Sequence, residues 1–193
     1  MIEGVLWGVG LRVDVRINVI GASGSGASTL GKSLAQALAV PHFDSDDYYH
    51  LPTDPPFQRQ RPAEERYRLI SRDLRPGGNW VLSGGVVGWE PCPALAFTSI
   101  VFLYVPTETR VSRLRLRERL RFGNRILEGG DMHRTHEDFV EWASRYDIGD
   151  VDGKTLARHE DFLKSQSCPV LEYRGVGSVE ELTASVLASI RGP

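Results

Sequence analysis

The amino-acid sequence predicts a three-layer α/β/α fold around a five-stranded parallel sheet, and three observations carry this prediction. Strand-like and helix-like segments alternate five times along the 193 residues. The run from Ile100 to Val105 is continuously apolar and rich in β-branched residues, which is typical of a parallel strand buried on both faces. The chain has no internal repeat and no low-complexity tract. Such a pattern predicts one parallel sheet with helices on both faces.

The elements follow one another at short intervals. The predicted strands are 13–20, 42–44, 80–83, 100–105 and 169–173, and the predicted helices are 28–39, 63–74, 107–121, 136–146, 153–165 and 178–190. Four prolines between residues 50 and 62 predict a loop. Ser178 and Glu181 have the spacing of a capping box at the start of the last helix. We expect one domain over residues 1–193, with an N-terminal extension at 1–12.

Composition excludes several classes of protein. The net charge is −2, so no basic field attracts nucleic acid or an anionic membrane surface. Two cysteines, Cys92 and Cys168, do not make a disulfide framework. No apolar run approaches the ~20 residues of a membrane helix, and the first residues lack the basic region of a signal peptide. We therefore predict a cytoplasmic protein without nucleic-acid or membrane partners.

A glycine-rich loop follows the first strand, at the sheet edge where ligands bind in such folds. Two frames of the phosphate-binding pattern G-x-x-x-x-G-K-[ST] compete there. A literal match runs from Gly26 to Ser33 and includes Lys32. The other frame starts at Gly21, directly after the strand, and has Ala27 where the pattern has lysine. Backbone N–H groups cradle phosphate when the loop leaves a strand and opens into a helix, which favours the Gly21 frame.

In the Gly21 frame, the loop is expected to bind the phosphates of ATP or another nucleoside triphosphate. The predicted nucleotide-binding residues are Gly21, Ala22, Ser23, Gly24, Ser25, Gly26, Ala27, Ser28 and Thr29. The Ser28 hydroxyl is a candidate Mg²⁺ ligand, and we expect Thr29 to cap the first helical turn. Ala27 removes a cation that would contact the phosphates, so that charge must come from another residue or catalysis is weak.

With this loop, the chain resembles the nucleotide and metabolite kinases with a P-loop, such as adenylate, shikimate and gluconate kinases. The resemblance covers the chain from about residue 15. Asp44-Ser45-Asp46 looks like the Asp-x-Asp of shikimate kinases, which implies that Asp44 helps to hold Mg²⁺ and that Asp46 binds the acceptor hydroxyl. Ser83-Gly84-Gly85 resembles their acceptor-contacting glycine run, so Gly84 and Gly85 become candidate substrate-binding residues. Asp46-Asp47-Tyr48-Tyr49 is also similar to a stretch of uridine kinases, which leaves a nucleoside acceptor open.

The resemblance also implies two mobile parts, an acceptor-binding insertion at about 48–75 and an arginine-rich lid at about 113–135. All but three of the 23 basic residues are arginine, and Arg113, Arg117 and Arg121 share one face of a predicted helix. Cations placed there stabilise charge in phosphoryl transfer. We expect one of these three arginines to replace the lysine that is absent at position 27. His133 and His136 have helical spacing, but the segment favours a lid over a zinc site.

The sequence thus predicts ATP-dependent phosphoryl transfer to a small-molecule acceptor, with Asp46, Arg113, Arg117 and Arg121 as catalytic residues. The acceptor classes that stay open are a nucleoside, a nucleotide, a sugar acid and a shikimate-like alcohol. The alternative is a nucleotide-binding sensor without useful transfer activity, or a simple NTPase. Ala27 favours the alternative, whereas the Asp-x-Asp and the lid arginines favour the enzyme. The oligomeric state cannot be read from the sequence.

Overall fold

Five parallel strands form the centre of the protein, in the order β2-β3-β1-β4-β5. The computed structural model describes residues 14–75, 77–89 and 92–191. The strands are β1 (Arg16–Gly21), β2 (His42–Asp44), β3 (Trp80–Ser83), β4 (Ser99–Tyr104) and β5 (Val170–Arg174). The helices are α1 (Ala27–Leu38), α2 (Ser45–Tyr49), α3 (Ala63–Asp73), α4 (Thr107–Phe122), α5 (His133–Ser144), α6 (Leu156–Lys164) and α7 (Val179–Arg191), with 3-10 helices at Pro93–Leu95 and Gly123–Ile126.

The predicted fold class is confirmed, and the predicted elements are present within a few residues of their expected bounds. Ser178 and Glu181 form the expected capping box, because each backbone N–H donates to the other side chain at 3.1 Å. The first strand begins at Arg16 rather than at residue 13. The predicted N-terminal extension lies outside the described residues. Helix α2 was not predicted, since five residues are too few to display a helical period.

Both faces of the sheet are covered by apolar side chains. On one face, Ile17 and Val19 pack with Leu30 and Leu34 of α1. On the other face, residues of β1, β3 and β4 pack with α3, and Ile70 is completely buried there. Each large apolar side chain buried in this way contributes roughly 1.5–3 kcal/mol. Burial on both faces explains why the central strands read as continuous apolar runs. No helix in the described part of the chain is long and apolar enough to cross a membrane.

A buried histidine gives the fold a predictable dependence on pH. His159 of α6 is 1% exposed, and its Nδ1 lies 2.8 Å from the Tyr146 hydroxyl. Burial, together with the charge of Lys154, lowers the pKa of His159 to about 3. Below pH ~6.5 the unfolded chain therefore binds a proton that the native chain does not bind until about pH 3. The free energy of unfolding should decrease as the pH falls through this window.

We expect this histidine to lower the free energy of unfolding by about 2 kcal/mol between pH 7 and pH 5. Urea denaturation at the two pH values measures the difference in wild type and in His159→Gln. The variant should be less stable at pH 7 but should lose less stability on acidification. Tyr146→Phe keeps the imidazole and serves as the control, with a pH dependence close to wild type. Equal losses on acidification in wild type and His159→Gln would contradict the assignment.

Candidate active site

The glycine-rich segment forms the turn between β1 and α1. Strand β1 ends at Gly21 and α1 begins at Ala27. Gly24 and Gly26 have positive φ angles of +83° and +97°, a conformation that other residues rarely adopt. A Cβ on Gly24 would also lie 2.5 Å from the Arg110 carbonyl oxygen. The turn therefore leads directly from a strand to the N-terminus of a helix, which is the arrangement that favours an anionic ligand.

The residues of the literal pattern match are placed differently. Gly31, Lys32 and Ser33 lie inside α1, and Leu30 before them is 1% exposed in the core. Gly31 is explained by packing, because a Cβ there would lie 2.0 Å from the Ser83 Oγ of β3. Lys32 is exposed to solvent. These residues form a helix that packs closely on the sheet.

The predicted role of Thr29 as a helix cap was wrong. The N-cap of α1 is Gly26 in the left-handed conformation, and no side chain caps this end. Thr29 is the third residue of the helix and is exposed. The left-handed glycine sets the direction of the chain at this end, so the first turn leaves its N–H groups without a side-chain partner.

The two predicted magnesium ligands lie in contact. Asp44 is the last residue of β2, and the Ser28 Oγ donates a hydrogen bond to its Oδ2 at 2.8 Å. The other oxygen, Oδ1, accepts from the backbone N–H of Asp46 at 3.1 Å and caps α2. A hydroxyl and a carboxylate at the mouth of the glycine-rich turn are oxygen ligands of the kind that Mg²⁺ prefers. The residues present therefore fit this metal.

The acidic turn after β2 concentrates negative charge. Asp46 and Asp47 occupy the first turn of α2, and both are exposed. Partial burial, followed by the charges of Asp44 and Asp46, raises the pKa of Asp47. Asp46 thus lies two residues after the candidate metal ligand, and its exposed side chain is open to a ligand from solvent. In that position a carboxylate can accept a proton from a bound hydroxyl.

The predicted glycine pair lies against the same group of residues. Gly84 follows β3 with a φ of +94°, and a Cβ there would lie 2.0 Å from the Ser45 Oγ and 3.6 Å from the Asp44 Oδ1. Asn18, completely buried in β1, holds this end of β3 through hydrogen bonds from Nδ2 to the carbonyls of Leu82 (3.0 Å) and Gly84 (3.1 Å). Sequence reasoning missed Asn18, although a polar residue in an apolar strand was a visible signal.

Lys154 was also missed, and it lies on the far side of this glycine pair. A Cβ on Gly85 would lie 3.5 Å from the Lys154 Cε, 4.0 Å from its Nζ and 3.4 Å from the His159 Nε2. Partial burial lowers the pKa of His50, and the positive charge of Lys154 acts in the same direction. A half-buried cation, Lys154, thus lies next to Gly85.

A second cation, Arg66, lies among aromatic rings. The Arg66 Cζ of α3 lies 4.5 Å from the centroid of the Trp89 ring and 5.3 Å from that of Tyr49. Arg66 is 8% exposed, and its Nε has no hydrogen-bond partner among the residues that the structure describes. Arg61, by contrast, is tied to Glu65 and to the carbonyls of Tyr48 and His50. Among the arginines of the insertion, Arg66 is thus held by aromatic contacts.

The three predicted lid arginines have different surroundings. The Arg113 Nη1 reaches the Ser25 carbonyl in the glycine-rich turn at 3.5 Å, a long hydrogen bond. Arg117 is paired with Glu118 at 2.8 Å. The Arg121 Cζ lies 5.2 Å from the Phe57 ring centroid and 5.1 Å from that of Phe122. Only Arg113 of this set is in contact with the candidate nucleotide loop.

Arg110 connects the same helix to the loop, and the sequence interpretation did not single it out. Its side chain is completely buried and donates to the carbonyls of Val105 (2.9 Å), Ala143 (3.0 Å) and Ser23 (3.5 Å). It also pairs with Asp147 at 3.3 Å. Removing a buried guanidinium with these partners is expected to cost several kcal/mol. Arg110 therefore anchors α4, and with it Arg113, against the glycine-rich turn.

The histidines at 133 and 136 both lie in the first half of α5. No group of three metal-ligating side chains occurs in the described ranges. The His133 Nδ1 lies 3.0 Å from the Ile126 carbonyl, which ties α5 to the preceding 3-10 helix.

Comparisons with known proteins agree with the architecture. The chain resembles shikimate kinases of Bacteroides thetaiotaomicron (TM-score 0.55, 21% identity, 92% of this chain and 99% of that chain) and of Aquifex aeolicus (TM-score 0.52, 19% identity, 92% and 97%). It also resembles shikimate kinase from Acinetobacter baumannii, solved in complex with shikimate (TM-score 0.54, 16% identity, 93% and 94%). At these identities the likeness is one of fold.

The sheet order, the glycine-rich turn and these relatives define a P-loop protein with a kinase-type fold. Residues 17–128, more than half of the chain, match the family described as AAA domain, and the chain belongs to this family. Over 171 residues it is 40% identical to an uncharacterized protein of Bacillus subtilis (strain 168), YqaC, covering 89% of this chain and 94% of that protein. The predicted resemblance to P-loop kinases is thereby confirmed at the level of the fold.

Proposed function

We propose that this protein transfers a phosphoryl group from Mg-ATP to a hydroxyl of a small anionic metabolite. One observation carries the proposal: the Ser28 hydroxyl, at the start of the helix that follows the glycine-rich turn, donates a hydrogen bond to Asp44, whose other oxygen accepts from the backbone N–H of the exposed residue Asp46. Residues suited to bind phosphate, to hold Mg²⁺ and to accept a proton therefore lie together. A plain glycine-rich turn would not need the last two.

Each group then has a chemical role. Residues 21–29 hold the triphosphate through backbone N–H groups and the helix dipole. Ser28 and Asp44 hold Mg²⁺, which neutralises charge on the phosphates when bound. Asp46 orients the acceptor hydroxyl and takes its proton while the hydroxyl oxygen bonds to the γ-phosphorus. The bond between this phosphorus and the β,γ-bridging oxygen breaks, and ADP leaves with that oxygen.

Arg113 is the residue that we propose to replace the lysine absent at position 27. Its guanidinium reaches the glycine-rich turn, and the buried Arg110 holds its helix in place. Arg117 is engaged by Glu118, and Arg121 lies against aromatic rings away from the turn. A guanidinium can contact two phosphate oxygens at once, so it can supply the charge that a lysine would supply.

Two cations that are partly or fully buried argue for an anionic acceptor. Lys154 lies next to Gly85, and Arg66 lies against the ring of Tyr49, three residues after Asp46. Keeping a cation out of solvent is costly, and the charge of a ligand anion offsets that cost. Nucleotides, sugar acids and shikimate-like acids meet this requirement, whereas an uncharged nucleoside does not. The acceptor classes left open by the sequence are narrowed in this way.

A metabolite screen tests the proposal. The protein is incubated with Mg-ATP and two metabolite pools, one of hydroxy acids and phosphorylated compounds and one of neutral alcohols and nucleosides. Release of ADP and new masses heavier by one phosphoryl group are followed. We expect product from the anionic pool, and at least about 10²-fold slower product formation with Asp46→Asn. Product from the neutral pool alone would contradict the anionic acceptor.

The second candidate is a nucleotide-binding sensor, and Ala27 is the observation that favours it. Mg-ATP binding without product from either pool would support the sensor over the kinase. A thermal shift assay with ATP and ADP separates these cases, since a ligand that binds only the native state raises the melting temperature. If neither nucleotide raised it, both functions would have to be abandoned.

A further inference from the structure

Two contacts join the end of α4 and the 3-10 helix after it to the proline-rich loop of the insertion. These segments are far apart in sequence. The Arg125 Nη2 lies 2.8 Å from the Asp54 Oδ1. The Arg121 Cζ lies 5.2 Å from the Phe57 ring centroid. Asp54 is 80% exposed and Phe57 43% exposed, so neither residue is needed for the core. One ionic and one cation–π contact thus act between the same two segments.

The arginine of the ionic contact is held in position by its own segment. The Arg125 guanidinium binds Asp131 through Nε at 3.0 Å and through Nη2 at 2.7 Å. This two-point contact orients the guanidinium before Asp54 binds. Loss of the Asp54 contact would therefore leave the Arg125 guanidinium held by Asp131.

Further aromatic contacts lead from Phe57 to residues near those assigned to the acceptor. The Phe57 ring meets His50 edge to face with 5.0 Å between centroids, and His50 meets Tyr49 at 4.9 Å. Tyr49 is one of the rings around Arg66. The loop that carries Asp54 and Phe57 is thereby linked both to the lid and to the residues assigned to the acceptor. Movement of this loop changes access to that space.

We propose that Asp54 and Phe57 form a latch with Arg125 and Arg121, which closes the lid onto the insertion and controls entry of the acceptor. Arg121 and Arg125 are then positioning residues. The proposal rests on the acceptor side assigned under the proposed function. Its test uses no activity, so a failure of the latch and a failure of the kinase assignment are distinguishable.

Hydrogen exchange of the full chain, without nucleotide or acceptor, tests the latch. In Asp54→Asn we expect amide exchange to rise about threefold in both segment 50–60 and segment 121–132. Loss of an exposed ion pair shifts the equilibrium for local opening by about this factor. In the double variant Asp54→Asn, Phe57→Ala we expect amide exchange to rise roughly tenfold in both segments. Asp138→Asn is the matched control, because it breaks the exposed pair of Asp138 with Arg134 on α5. It should leave both segments unchanged.

Salt separates the latch from a purely local effect of Asp54. Raising NaCl from about 0.05 M to 1 M screens an exposed ion pair. Exchange in both segments should therefore rise more in wild type than in Asp54→Asn, since salt screens the exposed Arg125–Asp131 pair in both proteins. If Asp54→Asn raised exchange only in segment 50–60, or in neither segment, or if the salt response were the same in both proteins, the latch would be overturned.

Discussion

Replacing Arg113 by alanine is expected to lower kcat for phosphoryl transfer by about 10²-fold or more, because this guanidinium supplies the charge that Ala27 cannot. The Kd for Mg-ATP should change much less, since the backbone N–H groups and the helix dipole remain. Steady-state kinetics with the acceptor found by the screen give kcat, and calorimetry gives Kd. The loss should appear in kcat because the arginine acts mainly on charge that develops during transfer.

Arg117→Ala is the matched control for this prediction. Arg117 lies one helical turn further along α4, carries the same charge and is paired with Glu118. Its removal should change kcat less than about threefold. A kcat for Arg113→Ala equal to that of wild type would remove Arg113 from the catalytic site. Equal large losses in both variants would point to the net charge of the helix instead of one guanidinium.

Replacing Asp46 by asparagine is expected to lower kcat about 10²- to 10⁴-fold, because the amide cannot accept the proton of the acceptor hydroxyl. The size and shape of the side chain are kept, although one acceptor oxygen is replaced by an N–H donor group. The backbone N–H of Asp46, which Asp44 accepts, is also kept, so the candidate magnesium site should be undisturbed. We therefore expect the Kd for Mg-ADP to stay within about twofold of wild type.

Asp47→Asn provides the comparison for Asp46, since both residues lie in the first turn of α2 and are exposed. Removing the charge of Asp47 should reduce kcat only a few-fold, as it lies in the acidic turn without an assigned role. If Asp47→Asn abolished transfer and Asp46→Asn did not, the roles of the two carboxylates would be exchanged. If both were mild, the acceptor hydroxyl would lose its proton elsewhere.

Much of the fold could be predicted because the elements obey simple periods. Strand β4 is apolar after its first residue and α1 repeats leucine every fourth residue, so both could be placed from the sequence. Topology placed the segments of Ser28 and Asp44 at the same edge of a parallel sheet, whereas the Mg²⁺ role of Asp44 came from the resemblance to shikimate kinases. The short helix α2 has no period and could not be seen.

Residues that reach the site from distant parts of the chain could not be predicted. Lys154 is more than sixty residues from Gly85 in sequence, and the residues next to it in sequence form no pattern that predicts the contact. In the sequence, Arg110 cannot be distinguished from the other arginines of a charged helix, yet its side chain is completely buried. The separation of Arg113 from Arg117 and Arg121 depends on which partners each side chain meets. Such partners are set by tertiary packing and not by helical spacing.

A double-mutant cycle between positions 27 and 113 tests the central claim that Arg113 does the work of the absent lysine. Ala27→Lys, Arg113→Ala and the double variant are compared with wild type by kcat. Arg113→Ala should cost about 10²-fold or more in the native background but less than about tenfold beside Ala27→Lys, because the introduced ammonium supplies the same charge. An equal loss in both backgrounds would show independent roles and contradict the claim.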